Sequence, residues 1–451
     1  MCSRSMIRAG LALAAVLVSH TAAGAEPLDR GLNDPRPRAP GSEIPAQAVA
    51  QGPVGDLILH QAVALALVGN PELAVFSGEV RAREAAIVQA RLLPNPELNV
   101  TAVNLGNDVL RDFDGPQATV SLSQIILMGG KRAAGIRVAG LDRDLAAWDY
   151  EVKRLDVLTR VAQGFVVVLQ AQQGLVLAND LVALAERVAV TVAARVQAGK
   201  SSPVEEVRAR VALASIRIER ERAMRELEAA RINLAATWGS TAPRFTKALG
   251  RLEDVHPVPA VEDLSRRLRQ NPDLARWATE LAGREANLDL ERRRAVPDLS
   301  ATLGITHFAD TDDSALVAGI SIPLPILNRN QGNIQAAHER LGKAMAERRN
   351  AEVSVTTRLH AVYQRLAGAH AEIAALKAEV LPGAKSAFEA ASKGYRLGKF
   401  GLLDVLDAQR TLFGAKAQYL RGLTDYHQSV AQVEGLIGEP VEAARSLEES
   451  R

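Results

Sequence analysis

The chain has 451 residues, with 54 Lys and Arg against 52 Asp and Glu, a net charge of +2 and an aromatic share of 4%. The balanced charge gives no electrostatic case for nucleic acid as a partner. The length exceeds one ordinary core, and abundant alanine with few aromatics favours long, closely packed helices over a sandwich.

The first segment, Met1 to Arg8, is basic; Ala9 to Val18 is apolar; Ala23-Gly24-Ala25 follows. That order reads as a secretory signal cleaved after Ala25. No later stretch stays apolar over the roughly 18 residues that a membrane-spanning helix needs. The sole cysteine, Cys2, lies inside the leader, ahead of its apolar core. The mature chain is therefore expected to carry no disulfide, no thiol ligand and no lipid anchor. Residues 26–55 hold six prolines and read as an extended arm.

Beyond the arm the chain is written twice. Asn70-Pro71-Glu72-Leu73 returns as Asn271-Pro272-Asp273-Leu274, and Pro96-Glu97-Leu98 as Pro297-Asp298-Leu299, both at an offset of 201. Gly199-Lys200, Glu205, Ala209 and Gly239 meet Gly398-Lys399, Asp404, Ala408 and Gly438 at an offset of 199. A register held this long points to an internal duplication. The first repeat, 56–239, is expected to hold leading helices, strands near 96–106 and 116–125, a long helix over 131–198 and a return helix over 203–238. A linker, 240–259, precedes the second repeat, 260–438. That repeat has strands near 297–307 and 315–323, a long helix over 331–397 and a return helix over 401–437; 439–451 is a tail.

Thr119, Ser121 and Ser123 alternate with Ala118, Val120 and Leu122; Ser300, Thr302 and Thr306 alternate with Leu299, Ala301, Leu303 and Ile305. This period suits a half-buried strand in a soluble sheet, and it also suits a tilted strand crossing a bilayer. Four strands are too few to close a membrane barrel, so in the second case several chains must pool theirs. Dimers and trimers both satisfy that count. An aromatic girdle is absent apart from Phe113 and Phe308 near the loops.

The proline-free run from Lys131 to Ala198 would reach roughly 100 Å as a helix. Val355, Leu359, Val362, Leu366, Ala369, Ile373, Leu376 and Val380 step by four and three, as a coiled-coil seam does. Leu155, Leu158, Ala162, Phe165, Leu169 and Val176 follow the same heptad, interrupted at Gln172. Pro382 is expected to kink the second long helix without ending it. A structural rod leaves the strand pairs and the leader unexplained, whereas helices that run out, turn at Gly199 or Gly398 and return would line a conduit.

Asp404 and Asp407 lie at i and i+3, so their carboxylates share one helical face just past the Gly398 turn. Repeated around a pore they would form acidic rings favouring cations. They are equally ordinary acids at a helix start, stabilised by the macrodipole. Gly199-Lys200-Ser201 imitates the end of a phosphate loop, but Ala194 stands where its first glycine belongs. The seven histidines beyond the leader lack metal-ligand spacing, and no local motif supports catalysis or a cofactor.

Several runs resemble the TolC superfamily of outer-membrane factors. They are Leu92 to Leu98, Gly129-Gly130-Lys131-Arg132, Ala198 to Glu206, Pro323 to Ile334, Gly394 to Lys399, and Leu403 to Arg410. Within it they are most similar to the CzcC-like branch, linked with cobalt, zinc and cadmium efflux. The resemblance implies an α+β membrane protein in the cell outer membrane with a periplasmic extension. It also implies a homotrimer with a twelve-stranded β-barrel in lipid and a twelve-helix α-barrel below. A periplasmic adaptor and a proton-driven inner-membrane transporter of the RND class complete the implied pump, in which this component is passive.

By the same resemblance Asp404 and Asp407 constrict the entrance, Tyr395 and Glu205 belong to its latch, and two turns dock the adaptor. Those turns contain Gly199, Lys200 and Ser201, and Arg396, Leu397, Gly398 and Lys399. Phe400 departs from the pattern, which places an arginine two residues past the glycine; Arg208 or Arg396 is then the candidate for the latch cation. A duct for drugs, organic anions or secreted peptides is the alternative within the superfamily. A periplasmic adaptor or structural coiled coil is the alternative outside it, but an adaptor needs a lipoyl-like module that this chain lacks.

Overall fold

The computed structural model describes residues 52–104 and 115–441. The leader, the arm up to residue 51, Phe113 and the tail from residue 442 lie outside the described residues.

Strand β1 (Gly55–Ile58) leads into α1 (Leu59–Gly69) and α2 (Pro71–Arg91). Strands β2 (Glu97–Val103) and β3 (Gln117–Ile126) follow, then α3 (Lys131–Gln197), α4 (Pro203–Ala236) and β4 (Phe245–Leu249). The second half continues through α5 (Val261–Arg267), α6 (Pro272–Arg294), β5 (Leu299–Phe308) and β6 (Asp313–Ser321). It ends with α7 (Gln331–Ala375), a π turn (Leu376–Val380), α8 (Leu381–Arg396) and α9 (Leu402–Ile437). Apart from β1, β4 and the break in the second long helix, the two halves run through the same element order. No single helix among the described residues is long and apolar enough to cross a membrane.

The recurring Asn-Pro pair has a plain physical reason. Asn70 and Asn271 both cap a helix whose first residue is proline, which tolerates that place because its missing N–H has no partner there. Asn70 Oδ1 accepts from Leu73 N at 3.1 Å while its Nδ2 donates to Thr237 O at 2.7 Å. Asn271 does likewise with Asp273 N at 2.7 Å and Leu436 O at 2.6 Å. Each asparagine therefore starts one helix and ties down the end of another. Asn271→Ala is expected to lower stability by about 2–3 kcal/mol, the cap plus a buried carbonyl left unpaired. Asn271→Asp keeps the cap and loses less; thermal melts of the two variants measure the difference.

Helix α2 is fastened to α3 by Glu72, which takes both Arg160, at 2.8 Å, and Lys153. The Arg160 guanidinium, and then the Lys153 ammonium, hold the Glu72 carboxyl at about 2. The largest apolar core surrounds the middle of α3, α7 and α9, with Phe165, Trp238, Phe245, Leu359, Leu366, Leu423 and Ile437 inside it.

Three features were not legible beforehand. Gly55, assigned to the arm, starts β1, which pairs in parallel with β4 inside the expected linker. Gln172, the polar break in the α3 heptad, turns its amide onto that pair. Its Nε2 donates to Ala248 O at 2.9 Å, and its Oε1 accepts from Ala248 N at 2.7 Å. The second long helix is not continuous to residue 397. Ahead of Pro382 it widens into the π turn, where Leu381 N bonds Leu376 O, and the extra residue rotates the seam. Val380, expected on the buried stripe, is accordingly 43% exposed; Val176, on the α3 stripe, is exposed as well.

The second sheet has the order β2-β3-β5-β6, antiparallel throughout. Its pairings set Leu98, Leu122, Leu303 and Ala318 in one row and Val100, Val120, Ile305 and Leu316 in the next. The opposite side carries Asn99, Thr101, Thr119, Ser121, Ser123, Thr302 and Thr306. Thr119 and Thr306 hydroxyls meet at 2.8 Å, and those of Ser123 and Thr302 at 2.9 Å. The apolar side is the open one: Leu122 is 52% exposed, Leu303 58% and Leu316 73%, while Thr306 is buried. A half-buried strand of a soluble sheet has the reverse arrangement.

Candidate functional site

The far end of the helices holds the residues singled out by chemistry. Both turns are built alike. In the first, Gly199 N bonds Val196 O at 2.9 Å and Lys200 N bonds Arg195 O at 2.8 Å; in the second, Gly398 N bonds Tyr395 O at 3.0 Å and Lys399 N bonds Gly394 O at 2.8 Å. Gly199 and Gly398 have φ of 68° and 74°, the left-handed conformation that ends a helix this way and that a side chain disfavours. Lys200, Arg396, Leu397 and Lys399 stand exposed around the turns, and Ser201 is half-buried.

Tyr395 and Glu205 do meet. The Tyr395 hydroxyl donates to Glu205 Oε2 at 3.3 Å, and the residue is 5% exposed. Burial raises the tyrosine pKa and the Glu205 charge adds to it, so the hydroxyl keeps its proton as a donor. The cation of this cluster is Arg195, on α3. Arg195 Nη1 donates to Tyr395 O at 2.8 Å and its Nε to Ser201 Oγ at 3.2 Å, with the guanidinium 4.7 Å from the Tyr395 ring centroid. Arg208 and Arg396, the expected candidates, are exposed and form no ion pair among the described residues.

Phe400 lays its ring on Gly394, where an added Cβ would lie 2.0 Å from Phe400 Cδ2. The space an arginine would need is thus taken up by packing. Beneath it Val192, Ala209, Ala391, Leu402 and Val405 form a small core with Tyr395. Arg195→Ala removes two charge-assisted hydrogen bonds and a cation–π contact. It is expected to loosen the tip by about 2 kcal/mol, roughly 30-fold in local opening. Hydrogen exchange of the amides between residues 196 and 203 reads that change directly.

Asp404 and Asp407 are both exposed on the first turns of α9. Asp404 Oδ2 accepts the Gly401 N–H at 2.8 Å, half of a capping box. Asp404 therefore shapes the helix start and also presents charge, and the two roles coexist.

Elsewhere, a cavity of about 680 Å³ between α3, α7 and α9 is lined by Asp149, Asp156 and Asp273 against Lys153, Arg358 and Arg365. Its charges cancel. His427 is half-buried, its Nε2 bonds Leu252 O at 2.9 Å, and partial desolvation lowers its pKa, so it packs as a neutral ring. No group of three His, Cys, Asp or Glu suited to a metal ion occurs among the described residues.

Solved structures share this fold. A membrane protein from Pseudomonas aeruginosa superposes with a TM-score of 0.74 at 19% identity, over 84% of this chain and 92% of that one. CusC gives a TM-score of 0.71 at 20% identity, again over 84% and 92%. VceC from Vibrio cholerae also gives 0.71, at 17% identity over 85% and 96%. These likenesses define the class: a TolC-like outer-membrane channel fold. The family described as "Outer membrane efflux protein" matches residues 62–240 and 264–439, and the chain belongs to that family. The cobalt-zinc-cadmium resistance protein CzcC of Cupriavidus metallidurans is 38% identical over 85% of this chain and 90% of its own length. The nickel and cobalt resistance protein CnrC of the same organism is 27% identical over 69% of this chain and 74% of its own.

Proposed function

We propose that three copies of this chain close a twelve-stranded barrel in the outer membrane, continued below by twelve long helices. The assembly is the passive exit duct of a tripartite pump for divalent heavy-metal cations. The sheet carries this reading: its exposed side is the apolar one, and its four strands leave two unpaired edges. Open edges are not tolerated in lipid, so the strands of several copies must join. The exposed stripe Val204, Val207, Val211 and Ile218 on α4 suits a ring in which the next copy covers it. The paired family matches and the repeated element order support an internal duplication, each half supplying one hairpin and one pair of long helices.

Metal cargo is supported by the 38% identity to a cobalt, zinc and cadmium resistance protein. Pyoverdine export proteins reach 26%, which supports the organic-compound alternative less well. A periplasmic adaptor docks at the Gly199 and Gly398 turns, and an RND transporter supplies the energy. Rings of Asp404 and Asp407 form the cation-favouring entrance, held by Tyr395, Glu205 and Arg195. The leader, cleaved after Ala25, directs the chain across the inner membrane. Deleting the gene and measuring growth on zinc, cobalt, cadmium, nickel, copper and a drug panel tests the cargo. Lost tolerance to a divalent metal, restored by the gene in trans, is expected. Unchanged metal tolerance with heightened drug sensitivity overturns it.

A further inference from the structure

Each chain contains one place where the end of a hairpin passes the start of the next. There β3 runs out through Met128, Gly129 and Gly130 beside the Val296–Asp298 approach to β5. Asp298 Oδ1 accepts from Met128 N at 2.9 Å and from Lys131 Nζ at 2.7 Å. Gly129 lies against Val296 closely enough that an added Cβ would touch it at 3.0 Å. This junction locks the base of the barrel strands to the first long helix.

The two hairpins pair in matching register. Asn99 pairs with Ser121, and Ser300 pairs with Ser321, shifts of 201 on one strand and 200 on the other. The shift of 200 also carries Gly130, the left-handed N-cap of α3, onto Asn330, the left-handed N-cap of α7, with φ of 70° and 60°. Every member of the junction then has a counterpart. Asp298 corresponds to Glu97, Met128 to Asn328, Gly129 to Arg329 and Lys131 to Gln331.

In one chain these counterparts lie at opposite edges of the sheet, because Glu97 opens β2 and Arg329 follows β6. Both are exposed, and Glu97 forms no ion pair among the described residues. Among the described residues the Arg329 side chain bonds only Ile326 O, at 3.4 Å. Hydrogen-bond phase agrees with bringing them together. The bond from Ala309 N to Pro116 O fixes which residues face which strand. By alternation, the even-numbered residues of β2 and β6 point their backbone groups to the open edges. The pair Leu122 and Leu303 carries over to Ile322 opposite Ala102 of the next copy, even against even, as those edges require.

We propose that Glu97 of one protomer pairs with Arg329 of its neighbour, sealing the junction between subunits as Asp298 and Lys131 seal the one inside. The cation has moved from the helix start to the residue before its cap, where the longer arginine spans the difference. This rests on the reading that copies of the chain close a common barrel.

Glu97→Cys with Arg329→Cys, in a Cys2→Ser background, is treated with a short bismaleimide in isolated outer membranes. Covalent dimers and trimers are expected from the double variant and not from either single one. Glu97→Lys and Arg329→Glu each lower the temperature at which the oligomer dissociates, and the double reversal restores most of the loss. A wild-type oligomer whose double-cysteine variant stays uncrosslinked, or whose double reversal rescues nothing, overturns the pairing and leaves the shared barrel standing. A wild-type monomer in the membrane overturns both.

Discussion

Arginine in place of Leu122 or Leu303 is expected to abolish assembly of the outer-membrane oligomer. These side chains oppose each other on the apolar side of β3 and β5, away from both ends of the strands. A cation on the lipid side of a barrel costs about 2–4 kcal/mol at the bilayer midplane. Three copies raise that to about 6–12 kcal/mol per assembly, comparable with the whole stability of an ordinary domain. Thr101→Arg lies on the polar side, where the lumen of the proposed barrel would offer the cation water, and should assemble as the unaltered chain does. Heat-modifiable oligomer bands in membrane fractions separate the two. Equal assembly of the Leu122→Arg and Thr101→Arg variants would mean that the apolar side does not face lipid.

Replacing Asp404 and Asp407 together by Asn is the second large expected effect. Both carboxylates are exposed just past the Gly398 turn, so three copies would gather six negative charges at one level of the duct. Asparagine retains an acceptor for the Gly401 N–H and leaves the helix start intact, so the change is one of charge. Conductance in planar bilayers should rise, and block by divalent cations should weaken by about tenfold, equivalent to about 1.4 kcal/mol of lost attraction. Asp404→Ala should behave differently, because it also removes the cap and costs about 1 kcal/mol of helix stability. Unaltered conductance and block in the double asparagine variant would leave the two aspartates as ordinary helix-start acids.

What the sequence revealed follows from how locally each feature is encoded. The two asparagine caps and the two left-handed glycines are properties of a few consecutive residues, so their recurrence announced the helix starts and turns directly. Alternation over Ala118 to Ser123 announced a two-sided strand, but not which side is open; that depends on what covers each side. Strands β1 and β4 escaped because four or five residues hold too little periodicity, and their pairing spans nearly the length of the first repeat. Gln172 looked like a flaw in a heptad because its partner, Ala248, is remote in sequence.

The tip was legible in part. Tyr395 and Glu205 came from resemblance, and the structure brings them together. Arg195 closes the last turn of α3, where a basic residue is ordinarily a helix-end cation, and nothing nearby in sequence ties it to Tyr395, which lies 200 residues away. A signal was present, since at the 199-residue offset Arg195 aligns with Gly394. One half supplies a guanidinium where the other supplies a flat surface, and Phe400 occupies that surface. The π turn was foreseen only as a kink at Pro382. The lost N–H of a proline is accommodated upstream of it, so Val380 changed sides and Pro382 itself continues the helix.

Shared construction is the core of the proposed assembly: one chain supplies four strands, too few to close a barrel in lipid, and its neighbours would supply the rest. The mass of the particle extracted in mild detergent from the outer membrane tests it most directly. Native mass spectrometry should find three copies of the mature chain. A particle containing a single copy would contradict it.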